Sequence, residues 1–478
     1  MAGASGFVGT SLRTALSDKY NWIGLTRSES VVESSSHNAD HTTWRHCDLF
    51  SLPQVREALK GAEVAIYMVH SMLPSSRLVQ GNFRDMDLLL ADNFVRGAEE
   101  AGVKRVIYLG GLIPQGVDED QLSPHLASRL EVERALSRRS IPVTVLRAGL
   151  IFGPGGSSAR MLLNLTRRLP VMVLPAWTRN QTNSIDVKDV IRAMDMALEC
   201  EDCVGSYDIA GHPAMSYKEM ILRTSELLGR TTLKIELPGN FFLLSRRWVS
   251  VFGSTPAYLV NPLLESLRHN LTARPNRLLE KLQADAVPFD QSVRGSVDEK
   301  GFPLPNPRQK TQKRDLDRMH QAKRVRSIQR MPLPRDWSAI KLSDTYAWWI
   351  SHASMSLIKE HRSPEGVLSL RFLSSRIPLL ELTPTPYSIN CQYRRAYYVT
   401  GGLLVRKVDP PGRFELRVFP ELNCLIAAIH GYTPKLPWWL YSISQALVHL
   451  AVMKAFGRYL QRVSMTENPS PQGSSLSR

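Results

Sequence analysis

The chain has 478 residues, of which 43% are hydrophobic and 22% charged, and this composition excludes a wholly disordered protein and favours two or three domains. Lys and Arg outnumber Asp and Glu by 60 to 44, a surplus that favours anionic partners such as phosphate-bearing ligands or a membrane surface. No zinc-finger spacing or RNP-like aromatic pattern accompanies the charge, so nucleic acid is an unlikely partner.

The five cysteines are too few and too scattered for a disulfide scaffold, so we expect a cytoplasmic protein. Cys200 and Cys203 form a single C-x-x-C pattern, which we interpret as chance spacing without a metal or redox site. No metal ligand set is predicted elsewhere in the chain.

The first predicted element is a glycine-rich turn that opens a helix. Gly3, Gly6 and Gly9 follow a G-x-x-G-x-x-G pattern, which lets backbone N–H groups approach a pyrophosphate at the positive end of the helix. Only Met1 and Ala2 precede these glycines, so the first strand of a dinucleotide-binding sheet is missing from the sequence. We expect the natural start to lie upstream, or the chain to be a fragment.

The next predicted strand, residues 21–26, ends at Arg27 and Ser28. At this place in dinucleotide-binding folds an acidic residue accepts from the 2′-OH of NAD, whereas an Arg favours the 2′-phosphate of NADP. Arg27 therefore favours NADP over NAD. A solvated arginine at a strand end is the equally weighted alternative.

Strands and helices then alternate along the chain. An apolar run at 62–69 is typical of a parallel strand that is buried on both faces. The predicted elements after it are a helix at 83–101, a strand at 105–109, a helix at 122–138 and a strand at 143–146. This order predicts an α/β domain over residues 1–230, with a doubly wound parallel Rossmann sheet.

Several segments of this domain carry a family resemblance. They are GASGFVG at 3–9, CDL at 47–49, IYMVHSM at 66–72, RVIYLGGL at 105–112 and LRAGLIFGPG at 146–155. With them the chain resembles the atypical short-chain dehydrogenase/reductase superfamily, and most of all its bacterial NAD(P)H-binding members. Those proteins are related to NAD-dependent epimerase/dehydratases and to the accessory Rossmann subunit of respiratory complex I.

The resemblance implies which residues would hold the cofactor. Gly3, Ser5, Gly6, Phe7 and Val8 would meet the phosphates, Arg27 the ribose, and Asp48 and Leu49 the adenine. Val69 and His70 would line the floor of the site, and Ala148, Gly149 and Ile151 would border the nicotinamide. Gly110 is a further expected contact.

The usual catalytic residues of the superfamily are replaced in this chain. The Tyr and Lys that lie four residues apart correspond to His125 and Arg129, and the Ser of the preceding strand falls in Gly110-Gly111. In one interpretation His125 is a general acid that titrates near neutrality, while Arg129 anchors the ribose. In the other, the domain binds cofactor as a sensor or assembly factor in a protein complex. Because no hydroxyl donor is pre-aligned, we favour binding over efficient hydride transfer.

The remainder of the chain is predicted to contain four further regions. They are a helical cap on the substrate side at 231–294, a basic Pro-rich linker at 295–335, an α+β domain at 336–463 and a disordered tail at 464–478. In the α+β domain, antiparallel strands precede a long helix from about Pro437 to Leu460. This order is typical of a sheet that grips a helix around an apolar cavity, so a lipid-binding module is a third interpretation.

Residues 438–453 carry no Asp, Glu, Lys or Arg. The 16 residues are fewer than the ~20 that span a bilayer, so we predict a buried or interfacial helix with peripheral membrane contact through its Trp pair. A small-molecule or lipid-like carbonyl compound is the expected substrate if the protein is a weak oxidoreductase.

Overall fold

The computed structural model describes residues 1–33, 41–71, 76–168, 171–211, 213–231, 233–237, 239, 264–305, 317–318, 321–373, 375–388 and 391–467. The chain divides into two compact units. Unit 1 comprises residues 1–72 and 87–312, and unit 2 comprises residues 73–86 and 313–478. The composition placed residues 73–86 with the N-terminal domain, whereas in the structure they belong to the second unit.

The strands and helices of the described residues are numbered in chain order. The strands are β1 (Trp22–Thr26), β2 (Thr42–His46), β3 (Val64–Tyr67), β4 (Leu78–Gln80), β5 (Arg105–Gly111), β6 (Val143–Ala148), β7 (Leu150–Phe152), β8 (Val171–Leu174), β9 (Gln181–Thr182), β10 (Ser184–Asp186), β11 (Gly205–Ile209), β12 (Met215–Ser216), β13 (Leu233–Glu236), β14 (Val325–Pro332), β15 (Ile358–Arg362), β16 (Leu368–Phe372), β17 (Pro378–Pro384), β18 (Arg394–Gly401), β19 (Arg413–Phe419) and β20 (Cys424–Tyr432). The helices are α1 (Phe7–Ala15), α2 (Glu29–Glu33), α3 (Leu52–Leu59), α4 (Phe83–Glu100), α5 (Pro124–Ser137), α6 (Ser157–Arg168), α7 (Val187–Glu199), α8 (Tyr217–Leu227), α9 (Arg277–Gln283), α10 (Phe289–Arg294), α11 (Ala339–Ala353), α12 (Trp438–Ile443) and α13 (Gln445–Glu467).

Unit 1 is built on a parallel sheet whose two parts meet at Ala2. Strands β1 and β2 pair on one side, and the order β3, β5, β6, β11 continues on the other. Ala2 forms parallel bridges to both Leu25 and Tyr67, and its amide donates to the Ile66 carbonyl at 2.8 Å. Ala2 therefore lies between β1 and β3 and joins the two parts of the sheet. The predicted doubly wound parallel sheet is confirmed.

Helices cover both faces of this sheet because successive strand residues point to opposite sides. Ile66 packs in a core with Leu12 of α1 and Val190 of α7. The next residue, Tyr67, faces the other way and contacts Phe94 of α4, with ring centroids 4.9 Å apart. Both faces are therefore apolar along β3, as expected for a central parallel strand.

The region from 231 to 294, predicted as a helical cap, is described only in part, since residues 240–263 lie outside the described residues. Its helices α9 and α10 belong to unit 1. Leu282 of α9 packs in the core beside the parallel sheet, and Phe289 of α10 contacts Phe152 of β7 with ring centroids 5.4 Å apart. The described part of this region therefore packs on unit 1.

Unit 2 is built on one mostly antiparallel sheet in the order β15, β16, β17, β18, β19, β20, β14, β4. The pairing of β14 with β4 is parallel. One face packs on α11 and α13, where Tyr346 of α11 meets Phe456 of α13 with ring centroids 5.0 Å apart. This arrangement confirms the expected antiparallel domain with a long terminal helix, although Ser444 separates α12 from α13.

Strand β14 lies inside the stretch whose composition predicts a linker. It pairs on one side with β20 and on the other with β4, and Val325 and Ile328 are buried. The arginines of this segment led us to expect a solvated linker, but Nε of Arg330 donates to Oδ1 of Asp85 at 2.6 Å. The partner comes from a distant part of the chain, which composition alone does not reveal.

The C-x-x-C pattern at the end of α7 forms a covalent link. Cys200 and Cys203 are joined by a disulfide at the end of α7, with Cα atoms 5.4 Å apart, so the interpretation as chance spacing is wrong.

In the part of the chain that the structure describes, every helix is too short or too polar to cross a bilayer.

Candidate functional site

The residues implied as cofactor contacts lie at one edge of the parallel sheet. They follow the carboxyl ends of neighbouring parallel segments, where dinucleotides bind in doubly wound folds. The set is Gly3 after Ala2, Arg27 after β1, Asp48 after β2, Val69 and His70 after β3, Gly110 at the end of β5, and Ala148 and Gly149 at the end of β6. The topology therefore brings together positions that are spread over about 150 residues of sequence.

The glycine turn has the geometry that its spacing predicts. Gly3 has a φ of 86°, and a Cβ on it would lie 2.8 Å from the Met68 carbonyl oxygen. The Gly6 amide donates to the Gly3 carbonyl at 2.9 Å. Gly6 is the N-cap of α1 and supplies no side-chain cap. The first-turn N–H groups of α1 therefore keep the capacity to bind an anion.

Two further close contacts lie at the same edge of the sheet, near the glycine turn. A Cβ on Gly156 would lie 3.1 Å from Cε1 of Phe7, so the ring at the start of α1 packs against the glycine loop after β7. Gly149 approaches the carbonyl of Asn183 so closely that a side chain could not be added without displacing backbone. Ile151 of β7 pairs with Ile185 of β10, which extends the edge beyond β6.

The three residues expected at the adenosine end of the site differ in their exposure and in their hydrogen bonds. Arg27 is exposed at the end of β1. The Asp48 carboxylate accepts the Phe50 amide at 3.2 Å, and the Leu49 carbonyl accepts from Nδ2 of Asn93 at 2.8 Å. Asp48 and Leu49 are therefore held in a turn by local and helical partners, whereas Arg27 extends into solvent.

A buried carboxylate lies below the residue expected at the floor of the site. Asp87 of α4 is 2% exposed or less, and its Oδ2 lies 2.7 Å from Nδ1 of His70. Its Oδ1 accepts the Ser71 amide at 2.7 Å, and Oδ2 accepts the Ser128 hydroxyl at 3.2 Å. An ionised carboxylate only accepts hydrogen bonds, so the proton of the pair lies on Nδ1 of His70.

The two residues at the replaced catalytic positions lie beside this pair. The rings of His125 and His70 meet edge to face, with centroids 5.1 Å apart. Nδ1 of His125 is buried and makes no hydrogen bond with any of the described residues. The Arg129 guanidinium interacts with the buried hydroxyl of Tyr108 and with the Asp87 carboxylate, and these groups raise the pKa of Arg129 although burial acts against them.

The electrostatic surroundings correct one expectation about His125. Burial lowers its pKa well below the usual value, and the positive charge of Arg129 lowers it further. His125 is therefore neutral at pH 7 and does not titrate near neutrality, as the general-acid interpretation requires. A neutral imidazole can still donate a hydrogen bond from its N–H group. Burial also lowers the pKa of His70, against the opposing effect of Asp87.

The two glycines at the predicted serine position, Gly110 and Gly111, differ in the space around them. A Cβ on Gly110 would lie 3.0 Å from Cε1 of Tyr108, whereas a Cβ on Gly111 would meet nothing within 4 Å. Open space therefore lies at Gly111. In a family with a serine near this point, Gly111 is the position with room for a hydroxyl.

Asp87 was not identified from the sequence, and neither was its link to Ser128. A signal was present, because Asp87 interrupts the apolar run from Met86 to Leu90 inside a helix. A carboxylate that is buried in such a run needs partners. Among the described residues, His, Cys, Asp and Glu side chains form no group of three or more that could hold a metal ion.

Comparisons with known proteins agree with this geometry. Residues 1–210 match the model of the NAD dependent epimerase/dehydratase family. Over 111 residues, 23% of the chain, the sequence is 28% identical to the auxiliary protein GraX of Staphylococcus aureus, and the match spans about a third of that protein's length, 35%.

Two solved structures resemble the chain at low identity. A nucleoside-diphosphate-sugar epimerase from Staphylococcus aureus is 18% identical, with a TM-score of 0.49, over 62% of this chain and 98% of that one. Triphenylmethane reductase from Citrobacter sp., complexed with NADP(H), is 18% identical with a TM-score of 0.48, over 61% of this chain and 98% of that one. Residues 1–210, which form the parallel sheet and its glycine turn, thus match the NAD-dependent epimerase/dehydratase family model.

Proposed function

We propose that unit 1 binds NADP(H) and reduces a carbonyl group of a small or lipid-like molecule. The observation that carries this proposal is the buried pair of His70 and Asp87, whose atoms Nδ1 and Oδ2 are 2.7 Å apart, beside His125 and Arg129. A domain that only binds cofactor does not need two half-buried histidines and a half-buried guanidinium around one buried carboxylate. Such clusters are typical of catalytic sites.

The chain's own residues fit the cofactor at its phosphate end. A side chain is excluded at Gly3 by the Met68 carbonyl, so at this position the backbone is open to a pyrophosphate. Gly6 leaves the start of α1 without a side-chain cap, and the exposed Arg27 supplies a positive charge for a 2′-phosphate. When bound, the reduced nicotinamide supplies a hydride.

The roles of the remaining residues follow from their charges. Neutral His125 donates a hydrogen bond to the substrate oxygen while negative charge develops on it. Arg129 remains protonated at all relevant pH values and stabilises the same charge. Asp87 holds the proton of His70 on Nδ1 and leaves Nε2 as its basic nitrogen. The proton that completes the alcohol enters from solvent by way of His70.

Calorimetric titration tests the first half of the proposal. We expect NADPH to bind wild-type protein more tightly than NADH, and Arg27→Asp to lose at least tenfold in affinity for NADPH while its affinity for NADH is kept. Arg168→Asp, a change of the same charge at the far end of α6, is the control. If neither nucleotide produces heat with the wild type, cofactor binding and the function built on it are both wrong.

A turnover assay tests the second half. NADPH oxidation is followed with a panel of aldehydes, ketones and quinones, and we expect His125→Ala to lower kcat by about 10²-fold, as for loss of one oxyanion donor. His361→Ala, an exposed histidine of unit 2, should have no effect. Tight NADPH binding without turnover on any member of the panel would favour the alternative of a cofactor-dependent sensor.

A further inference from the structure

Unit 2 exposes apolar side chains at the junction of α12 and α13. Trp439 and Ile443 of α12 are 67% and 64% exposed, and Leu447 and Val448 of α13 are 56% and 62% exposed. The Val448 amide donates to the Ser444 carbonyl at 3.0 Å, so the first turn of α13 follows directly on the residue that ends α12. These four residues are called the apolar patch. Solvent exposure of such large side chains in one cluster marks an interaction surface.

The neighbouring Trp438 shows that this exposure is selective. Trp438 packs against the apolar core of unit 2, and the Arg77 guanidinium lies 4.4 Å from the centroid of its ring. Tyr441, two residues after Trp439, is buried in the same core. Helix α12 therefore has one face that is anchored to the domain and another that carries Trp439 and Ile443 outward. Partial unfolding of the segment is not needed to expose them.

The surroundings of the apolar patch are positively charged. Residues 434–466 contain four Lys or Arg and no Asp or Glu, and Lys435 and Lys454 among them are exposed. The loop that carries exposed Arg406 and Lys407 is joined to this segment, since the Arg406 amide donates to the Thr433 carbonyl at 2.9 Å. Four cations are called the basic rim: Lys435 and Lys454 lie on the segment that carries the patch, and Arg406 and Lys407 lie on the loop that is hydrogen-bonded to it at Thr433.

The solvent face of α13 carries further cations beyond the apolar patch. Lys454, Arg458 and Arg462 follow one another at intervals of four residues, and all three are exposed. Residues at this spacing lie on one side of a helix. The solvent face of the helix therefore presents apolar side chains at its beginning and cations along its length, and these are the two kinds of group that bind an anionic membrane surface.

We propose that the apolar patch and the basic rim form a docking surface for an anionic lipid bilayer. Trp439 would lie at the level of the headgroups, as tryptophans do at membrane interfaces. Each cation near an anionic leaflet adds to the attraction. A nucleic acid would be attracted by the same charge, but it offers nothing for Ile443, Leu447 and Val448 to bury against. The chemistry of the patch therefore selects lipid.

Vesicle flotation with the full-length protein tests this surface. We expect binding to vesicles of equal parts phosphatidylcholine and phosphatidylglycerol, and little binding to phosphatidylcholine alone. The double variant Trp439→Ser/Ile443→Ser should lose roughly tenfold or more in apparent affinity, because two large side chains no longer enter the interface. The matched control is Met355→Ser/Ile377→Ser, whose residues are 84% and 58% exposed outside the patch, and it should bind like the wild type.

The charge contribution is measured separately. Lys435→Glu should weaken binding to the anionic vesicles by about fivefold or more, whereas Lys359→Glu, an exposed control on β15, should not. The proposal is overturned if wild type binds both vesicle types equally or not at all, or if the patch variant floats like the wild type. Retention by duplex DNA that is unchanged in the patch variant would show that the surplus charge serves nucleic acid instead.

Discussion

Oδ2 of Asp87 lies 2.7 Å from Nδ1 of His70, and the two residues come from a helix and a strand end that are 17 positions apart. Alone, burial would raise the pKa of Asp87, but the hydrogen bond from His70, the charge of Arg129 and the Ser71 hydroxyl together lower it below the usual value. The carboxylate is therefore ionised throughout the neutral range, and it fixes the orientation of His70.

Replacement of Asp87 by Asn should destabilise unit 1. Removal of the ionic acceptor leaves the buried donors of His70 and Ser71 poorly satisfied, at a cost of about 1–3 kcal/mol. Because the folded pKa of Asp87 is depressed, its stabilising contribution is present above the unfolded pKa near 4 and is lost as pH falls below that value. Urea unfolding at pH 7 and at about pH 2.5, well below the unfolded pKa, measures both effects.

The loss of stability in acid should distinguish the wild type from the Asp87→Asn variant. Wild type should lose more stability between the two pH values than Asp87→Asn does, since the variant has no carboxylate to protonate at this site. Asp120→Asn removes an exposed carboxylate and should follow the wild type. Equal stability of the Asp87 variant and wild type at pH 7 would contradict the role assigned to this residue.

The pH dependence of turnover should lack an ionisation of His125 near neutrality. Burial and Arg129 lower the pKa of His125 well below its usual value, so its ionisation moves out of the neutral range. We therefore expect kcat for NADPH oxidation to stay level between pH 6 and pH 8. A fall of kcat as pH rises through about 6.5, the ordinary histidine value, would instead show a protonated histidine acting as the acid.

Serine can be reintroduced at one of two adjacent glycines with opposite results. Gly111→Ser places its side chain in open space, whereas Gly110→Ser brings a Cβ to 3.0 Å from the Tyr108 ring. We expect Gly111→Ser to unfold like the wild type and to raise turnover, because it restores a hydroxyl donor. Gly110→Ser should lose about 1–3 kcal/mol through overpacking. Thermal unfolding and NADPH oxidation of both variants measure the difference, and the reverse order would refute this geometry.

Unit 2 depends on a buried carboxylate of its own. Glu415 of β19 is 1% exposed and accepts from Nη2 of Arg394 at 2.8 Å and from Nη2 of Arg417 at 3.0 Å. Burial acts to raise the pKa of Glu415, but the two arginines lower it well below the usual value. Glu415→Gln leaves these buried cations without their counter-charge and should cost about 3–5 kcal/mol.

The sign of the pH effect follows from the depressed pKa. The contribution of Glu415 is present above its unfolded pKa near 4.5 and declines as pH falls below it, so wild-type unit 2 should weaken in acid while the Glu415→Gln protein changes less. Hydrogen exchange of β19 and β20 amides reports on this unit alone. Glu360→Gln, on the exposed face of β15, is the control and should exchange like the wild type.

Much of unit 1 could be predicted from the sequence because its signals are local. The glycine spacing at 3–9 indicates a turn before a helix, and the apolar run at 62–69 indicates a buried parallel strand. Parallel strands place their carboxyl ends at one edge, so the expected cofactor positions, from Gly3 to Ala148, follow from the order of elements. Each of these inferences needs only neighbouring residues and the alternation of strands and helices.

The tertiary structure decided what depends on distant partners. Residues 325–332 became a central strand because β20 on one side and β4 on the other satisfy their backbone groups, while Asp85 neutralises Arg330. His125 became neutral because the folded chain buries it beside Arg129, and Asp87 became the partner of His70 because α4 packs below β3. Burial and charge pairing are properties of the folded surroundings, so the sequence by itself determined the order of the elements but not the protonation of the site.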